Sequence, residues 1–179
     1  KGINPKQGGR DMEKIYDMII IGGGPAGLSA GIYGGRAKLD VLVIEKENKG
    51  GQISLTSEVV NYPGILEISG NELMTQTRKQ AEGFGVNFVQ GEVVDMDFTK
   101  DIKTIKTKDA EYSALSVVIA TGAAPRKLGF PGEQEFTGRG VAYCATCDGE
   151  FFTGMDIFVI GAGFAAAEEA MFLTKYGKS

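Results

Sequence analysis

The chain has 179 residues, 42% hydrophobic and 23% charged, with a net charge of −4. That is enough for one domain or slightly more around a substantial core, and the acidic balance offers no basic face to nucleic acid or to an anionic membrane surface. The longest apolar runs are broken by glycine and do not form spanning helices.

The polar start, residues 1–15, has no secretory apolar core and reads as a mobile N-terminal arm, so a cytoplasmic setting is expected. Residues 16–21 (YDMIII) form a short β-branched strand, GGGPAG opens a small-residue helix over LSAGIYGGRA, and residues 39–45 (LDVLVIE) form the next buried strand. This is a βαβ unit, and strands apolar throughout imply a parallel sheet covered on both faces. After a loop through NYPG, residues 69–85 form a helix. Ser69 or Asn71 caps it, Glu72 lies near its start, and Gly83 or Gly85 ends it. Residues 86–98, 102–108 and 111–123 are expected as strands, two of them alternating and antiparallel. Residues 155–179 then open a second strand–glycine–helix unit that the chain does not close.

The 27 glycines cluster at 22–24, 50–51 and 161–163, each beside an apolar segment, as where backbone approaches a ligand. Gly22, Gly24 and Gly27 spell G-x-G-x-x-G between strand and helix. The first permits the tight turn, the second lets backbone approach a pyrophosphate, and the third packs helix on strand, with helix amides facing the phosphates. Glu45, ending the next strand, is placed to hold a ribose hydroxyl. A glycine-rich turn without a ligand is the bland alternative. Gly161, Gly163 and Ala166 repeat the pattern as G-x-G-x-x-A. The confirming acid or arginine is not in the sequence, and a tight turn in an α/β layer is its alternative. Two such loops suit two nucleotides, one held and one exchanged, for which a flavin and a nicotinamide are the economical pairing.

Both cysteines lie in Cys144-Ala-Thr-Cys147, and the chain contains no histidine. A structural zinc site needs four ligands, so one chain alone cannot build it, and no metal is expected. A metal shared between two chains and an inert buried pair stay as alternatives to a reversible disulfide, which the close spacing permits. With histidine absent, Asp148 is the nearest proton donor for a leaving thiolate. Its carboxyl could titrate high in an apolar pocket, or it could be only the turn residue of Asp-Gly.

The segments IIIGGGPAGLSAGIYGGRA, GGQISLTSEVVNYPG, VVIATGAAPRKLGFPGE, GVAYCATCDGEFF and VIGAGFAAAEEA resemble, in this order, the low-molecular-weight thioredoxin reductases, over residues 16–179. The resemblance implies an α/β fold. A Rossmann-like FAD-binding domain, with a parallel sheet plus antiparallel strands, has its first part at 16–126. A second Rossmann-like, NAD(P)-binding domain begins at 127–179 and carries the C-x-x-C, incomplete. It implies that Gly22, Gly24, Pro25, Ala26 and Gly27 hold the FAD pyrophosphate, with Glu45 and Lys46 near the adenosine ribose. Gly51, Gln52 and Asn61 would face the flavin, Val94 would contact adenine through its backbone, and Ala120, Thr121 and Gly122 would close over FAD. Cys147 would exchange electrons with the flavin, Cys144 would attack the disulfide of thioredoxin, and Asp148 would serve as acid. Gly161, Gly163 and Ala166 would take NADPH. A homodimer is implied.

Two departures qualify this. Phe164-Ala165 stands where the family often has aspartate-serine, which leaves NADH or reduced ferredoxin open as donors. The rest of the nicotinamide domain and the second half of the FAD domain are missing, so 1–179 alone is expected to bind FAD poorly and to be inactive. The rivals are the reductase of a peroxiredoxin system, a ferredoxin-dependent relative, a flavin reductase without thiol chemistry and a non-catalytic fragment.

Overall fold

Strands apolar at every position need cover on both faces, and the computed structural model, which describes residues 14–47 and 50–178, shows how it is supplied. The chain divides after Ala124 into two compact units. The first holds β1 (Ile15–Ile21), β2 (Val41–Glu45), β3 (Asn87–Gln90), β4 (Val93–Asp97), β5 (Lys103–Thr107) and β6 (Glu111–Ile119) in one sheet of order β3-β2-β1-β6-β5-β4. The first four in that order run parallel; β5 and β4 are antiparallel. Of the expected N-terminal arm, residues 1–13 lie outside the described residues, and Ile15 already belongs to β1.

Alternation along the strands sorts the core into two layers. Ile19, Ile21, Leu42 and Ile44 meet Ile105 and Val93 on one face. Ile20, Val41 and Val43 meet Ala81, Val86 and the helix residues Ala30 and Ile32 on the other. Ile19, Ile20, Val41, Val43 and Ile105 are fully buried, each contributing about 2 kcal/mol. The antiparallel strands therefore fold back over the face that the helices leave open.

α1 (Pro25–Arg36) begins three residues earlier than LSAGIYGGRA suggests. Pro25 occupies its first turn, where a missing N–H costs nothing and φ is already helical. α2 (Gly70–Gly83) is capped by Ser69, whose Oγ accepts the Glu72 amide at 3.2 Å, so Ser69 and not Asn71 is the cap. Leu73 and Met74 of α2 join Leu28 and Val59 in a third cluster.

Two expectations need correction. Residues 86–98 are not one strand: Gly91 and Glu92 interrupt it, β3 pairs with β2 at one edge, and β4 pairs with β5 at the other. A two-residue link can join opposite edges only because the sheet curls over its own face, which puts Val89 and Val93 in one cluster. The expected strand at 157–160 (IFVI) is not a strand. A strand exists by pairing, and among the described residues none pairs with this segment; Phe158 is 88% exposed. The helix that follows is present as α4 (Phe164–Leu173), after a single-turn α3 (Ala145–Asp148) and a 3-10 turn at Gly149–Phe152. These belong to the second unit, where Gly149 lets α3 approach Leu173 and Tyr176.

Candidate functional site

In the first unit β1 delivers the chain to Gly22, whose amide donates to the Ile44 carbonyl at 2.8 Å. Gly22 has φ +110° and a Cβ there would run into the Ala120 carbonyl, while a Cβ on Gly27 would strike the Gly22 carbonyl. Both positions exclude a side chain on steric grounds. Gly24 differs: a Cβ there would meet nothing nearer than Gly51 Cα at 3.8 Å, so its surface lies open. Gly24 caps α1 without any side-chain partner, and no acid stands in the first turn. The first amides of a twelve-residue helix are thus left for an anion beside an open glycine, which fits a pyrophosphate.

Glu45 is 9% exposed at the end of β2. One carboxylate oxygen accepts the Gly50 amide at 3.0 Å; the other lies 3.7 Å from Arg78 Nη1. Gly23, Leu28, Glu45, Gly50 and Arg78 line a recess of about 130 Å³ at this point. Next to it Lys46 pairs with Glu92 at 2.7 Å, and Glu92 also pairs with Lys108. Hydrogen bonds from the two ammonium groups, Lys108 first, pull the Glu92 carboxyl down to about 2. Gln52 ties the 50–55 loop to the segment after β6 through a 2.9 Å bond from its Nε2 to the Ala123 carbonyl. Ala120 continues the β6 pairing, donating to Ile21, and Thr121 and Gly122 follow exposed, Gly122 at φ +67°.

The structure therefore gathers Gly22, Gly24, Glu45, Gly51, Gln52 and Ala120 around the start of α1, with Pro25, Ala26 and Gly27 in its first turn. Asn61 is exposed in the loop before α2, and Val94, 57% exposed, sits at the irregular step of β4 between Val93 and Asp95. Arg78 was not foreseen. Its spacing to Glu82 looks like an ordinary helix-surface pair, yet it also reaches Glu45 and lies 4.2 Å from the Phe88 ring centre.

In the second unit Cys144 and Cys147 form a disulfide with Cα atoms 5.3 Å apart, inside the range a bridge requires. Cys144 is the extended N-cap of α3, and its carbonyl accepts the amides of Cys147 and Asp148 at 3.2 and 3.0 Å. This single turn brings residues three apart to bonding reach. Cys147 is exposed and Cys144 half-buried, with Thr146 Oγ1 3.4 Å from the Cys144 sulfur. Burial pushes the Asp148 carboxyl above its ordinary value, partly opposed by the Cys144 backbone amide. Gly161 and Gly163 lead into α4, with Gly163 as cap, but residues 157–160 just before them are not a strand. Ala166 lies where a Cβ on Gly161 would meet it at 3.0 Å.

Glu133, a second residue not foreseen, is 4% exposed. Its carboxylate accepts the Leu128 amide at 2.9 Å, the Gly129 amide at 2.6 Å and the Tyr143 hydroxyl at 2.9 Å. Those bonds, the Leu128 amide foremost, hold it below its ordinary value. Among the described residues no group of acids and cysteines could hold a metal ion, and no helix is long and apolar enough to cross a membrane.

Comparison with known proteins matches residues 16–179 to the family described as "Pyridine nucleotide-disulphide oxidoreductase". The chain is 53% identical over 168 residues to a thioredoxin reductase of Peptoclostridium acidaminophilum, covering 93% of this chain and 53% of that protein. It is 46% identical over 164 residues to a thioredoxin reductase of Bacillus subtilis (strain 168), covering 92% and 52%. The crystal structure of thioredoxin reductase from Streptococcus pyogenes MGAS5005 superposes with a TM-score of 0.88 at 46% identity, covering 92% of this chain and 54% of that one. The chain spans about half the length of the curated relatives it matches.

Proposed function

From the premise that the chain belongs to the pyridine nucleotide-disulphide oxidoreductase family, we propose that it is part of a thioredoxin reductase, holding the FAD cradle and the redox-active disulfide. The observation that carries this is the Cys144–Cys147 disulfide within a single helical turn, in a chain that also builds a glycine-lined turn beside the buried Glu45 carboxylate. We assign residues 16–126 to the FAD-binding domain and 127–179 to the NAD(P)-binding domain.

In this reading Gly22, Gly24, Pro25, Ala26 and Gly27 hold the FAD pyrophosphate at the start of α1, while Glu45 and Lys46 face the ribose. Gly51, Gln52 and Asn61 with Ala120, Thr121 and Gly122 border the flavin side, and Val94 meets adenine through its backbone. Gly161, Gly163 and Ala166 receive NADPH. When bound, FAD reduced by NADPH would supply the electron pair needed to open the disulfide. The remaining steps belong to the chain's own residues. The Cys144 thiolate attacks one sulfur of the thioredoxin disulfide, forming a mixed disulfide and releasing a partner thiolate. Cys147 then attacks Cys144, re-forming the Cys144–Cys147 bond and freeing the second partner sulfur, so thioredoxin gains two electrons and two protons. Asp148 supplies a proton to a leaving thiolate, a role its raised carboxyl suits. The acidic composition and the two cysteines support a cytoplasmic setting, a homodimer rests on the resemblance, and the net charge of −4 favours neither nucleic acid nor an anionic membrane as partner.

The test is an anaerobic titration of the intact protein, comparing wild type with Cys144→Ser. Wild type should bleach its flavin with NADPH and pass the electrons to thioredoxin. Cys144→Ser should keep its flavin and lose thioredoxin reduction by at least roughly 10³-fold. Full turnover by the variant would overturn the proposal.

A further inference from the structure

Glu133 lies eleven residues before the first cysteine and takes no part in the scheme above. Buried glutamates are rare unless paired, and this one is satisfied by two backbone amides and one phenol. The amides belong to Leu128 and Gly129, where the chain enters the second unit. The phenol is that of Tyr143, the residue immediately before Cys144. A further bond, from Thr137 Oγ1 to the Glu133 carbonyl at 2.6 Å, closes the loop between them. One carboxylate thus pins both ends of the 128–143 segment.

What is pinned matters for the disulfide. Cys144 is the N-cap of α3, extended at φ −138° and ψ 102°, whereas its bridge partner is inside the turn. Whether the two sulfurs meet depends on where the chain enters that cap, and Tyr143 sets the entry. Fixing the entry before the bond forms lowers the conformational entropy lost on ring closure. We infer that Glu133 is a positioning residue for the redox pair, acting through the Tyr143 hydroxyl to raise the effective concentration of one thiol toward the other and so to favour the disulfide. The low-titrating Glu133 carboxyl and high-titrating Tyr143 phenol agree with an ionised acceptor and a neutral donor. The inference rests on the proposed redox role of the cysteines, but on neither the flavin donor nor the partner.

The experiment equilibrates the intact protein with glutathione buffers of graded ratio, quenches with acid, alkylates, and counts the Cys144–Cys147 disulfide by mass. Tyr143→Phe, which removes the hydroxyl that bonds Glu133 and keeps the ring, should lower the disulfide-to-dithiol constant about fivefold. Glu133→Gln should lower it at least as far, and the double variant no further than Glu133→Gln alone. Ser69→Ala, which weakens a helix of the first unit, should leave it unchanged. Wild-type constants in Tyr143→Phe and Glu133→Gln would overturn the inference, as would a double variant showing the product of the two single effects. If Glu133→Gln does not fold, Tyr143→Phe decides alone. A wild-type pair that no glutathione ratio reduces would overturn the functional reading and this one with it.

Discussion

Gly22 and Asp148 show how a single residue constrains each of the two units. At Gly22 the backbone is left-handed at +110° and the missing side chain makes room for the Ala120 carbonyl. Gly22→Ala should therefore cost roughly 3 kcal/mol, measured by urea unfolding, together with a loss of flavin content. Asp148 and Glu133 oppose each other in their pH dependence. Burial raises Asp148, so its stabilising contribution is complete below the ordinary 3.8 and is lost as pH rises through its folded value; at neutral pH it is a liability. Asp148→Asn should accordingly raise the thermal midpoint at about pH 7 but not at about pH 3, while slowing thioredoxin reduction about 10²-fold. Glu133 is lowered by the Leu128 amide, so its contribution is complete above the ordinary 4.5 and is lost as pH falls through its folded value. Glu133→Gln should be destabilising at about pH 7, with the loss fading toward about pH 3 in the same scans. The glycines and the cysteines were legible because their chemistry is local: a turn, a cap and a spacing of three. Glu133 was not, because in PGEQEFTGRG it has the company of a solvated turn, and one of its partners, the Tyr143 hydroxyl, lies ten residues on. Arg78 was hidden for the same reason, since Glu45 lies outside its helix.

At the scale of elements, local signals served where local forces decide. α2 shows it, with Ser69 at its cap and Gly85 at φ +87° just beyond its end. Ser69→Ala should cost about 1 kcal/mol and Ser69→Gly only a few tenths, read from chemical unfolding midpoints. The βαβ core was legible because Val41–Ile44 are apolar without alternation, which only a doubly covered strand accommodates. The fate of residues 86–98 was not legible. Gly91 and Glu92 sit between two β-rich segments, and which edge each segment joins depends on strands far away in the chain. The segment at 157–160 fails for a related reason: its apolar content supplies half of a strand, and a hydrogen-bonding neighbour must supply the other half.

For the whole molecule, the division after Ala124 falls in a stretch with no helix or strand, exposed throughout 121–129. Limited trypsin digestion should cut first at Arg126 or Lys127, where the chain is solvated and carries a cleavable side chain, and mass analysis of the earliest fragments will show it. The sheet of the first unit carries a longer-range consequence. β1 takes β2 as one neighbour from nearby in the chain, but its other neighbour is β6, and the Ser116 hydroxyl bonds the Asp17 carbonyl across 99 residues. Among the six strands of this sheet β1 is made first yet waits for the last, because a ribosome must release residues up to Ile119 before β1 is flanked on both sides. Nascent chains arrested before β6 emerges should leave residues 15–21 open to protease, and chains extended past it should close them.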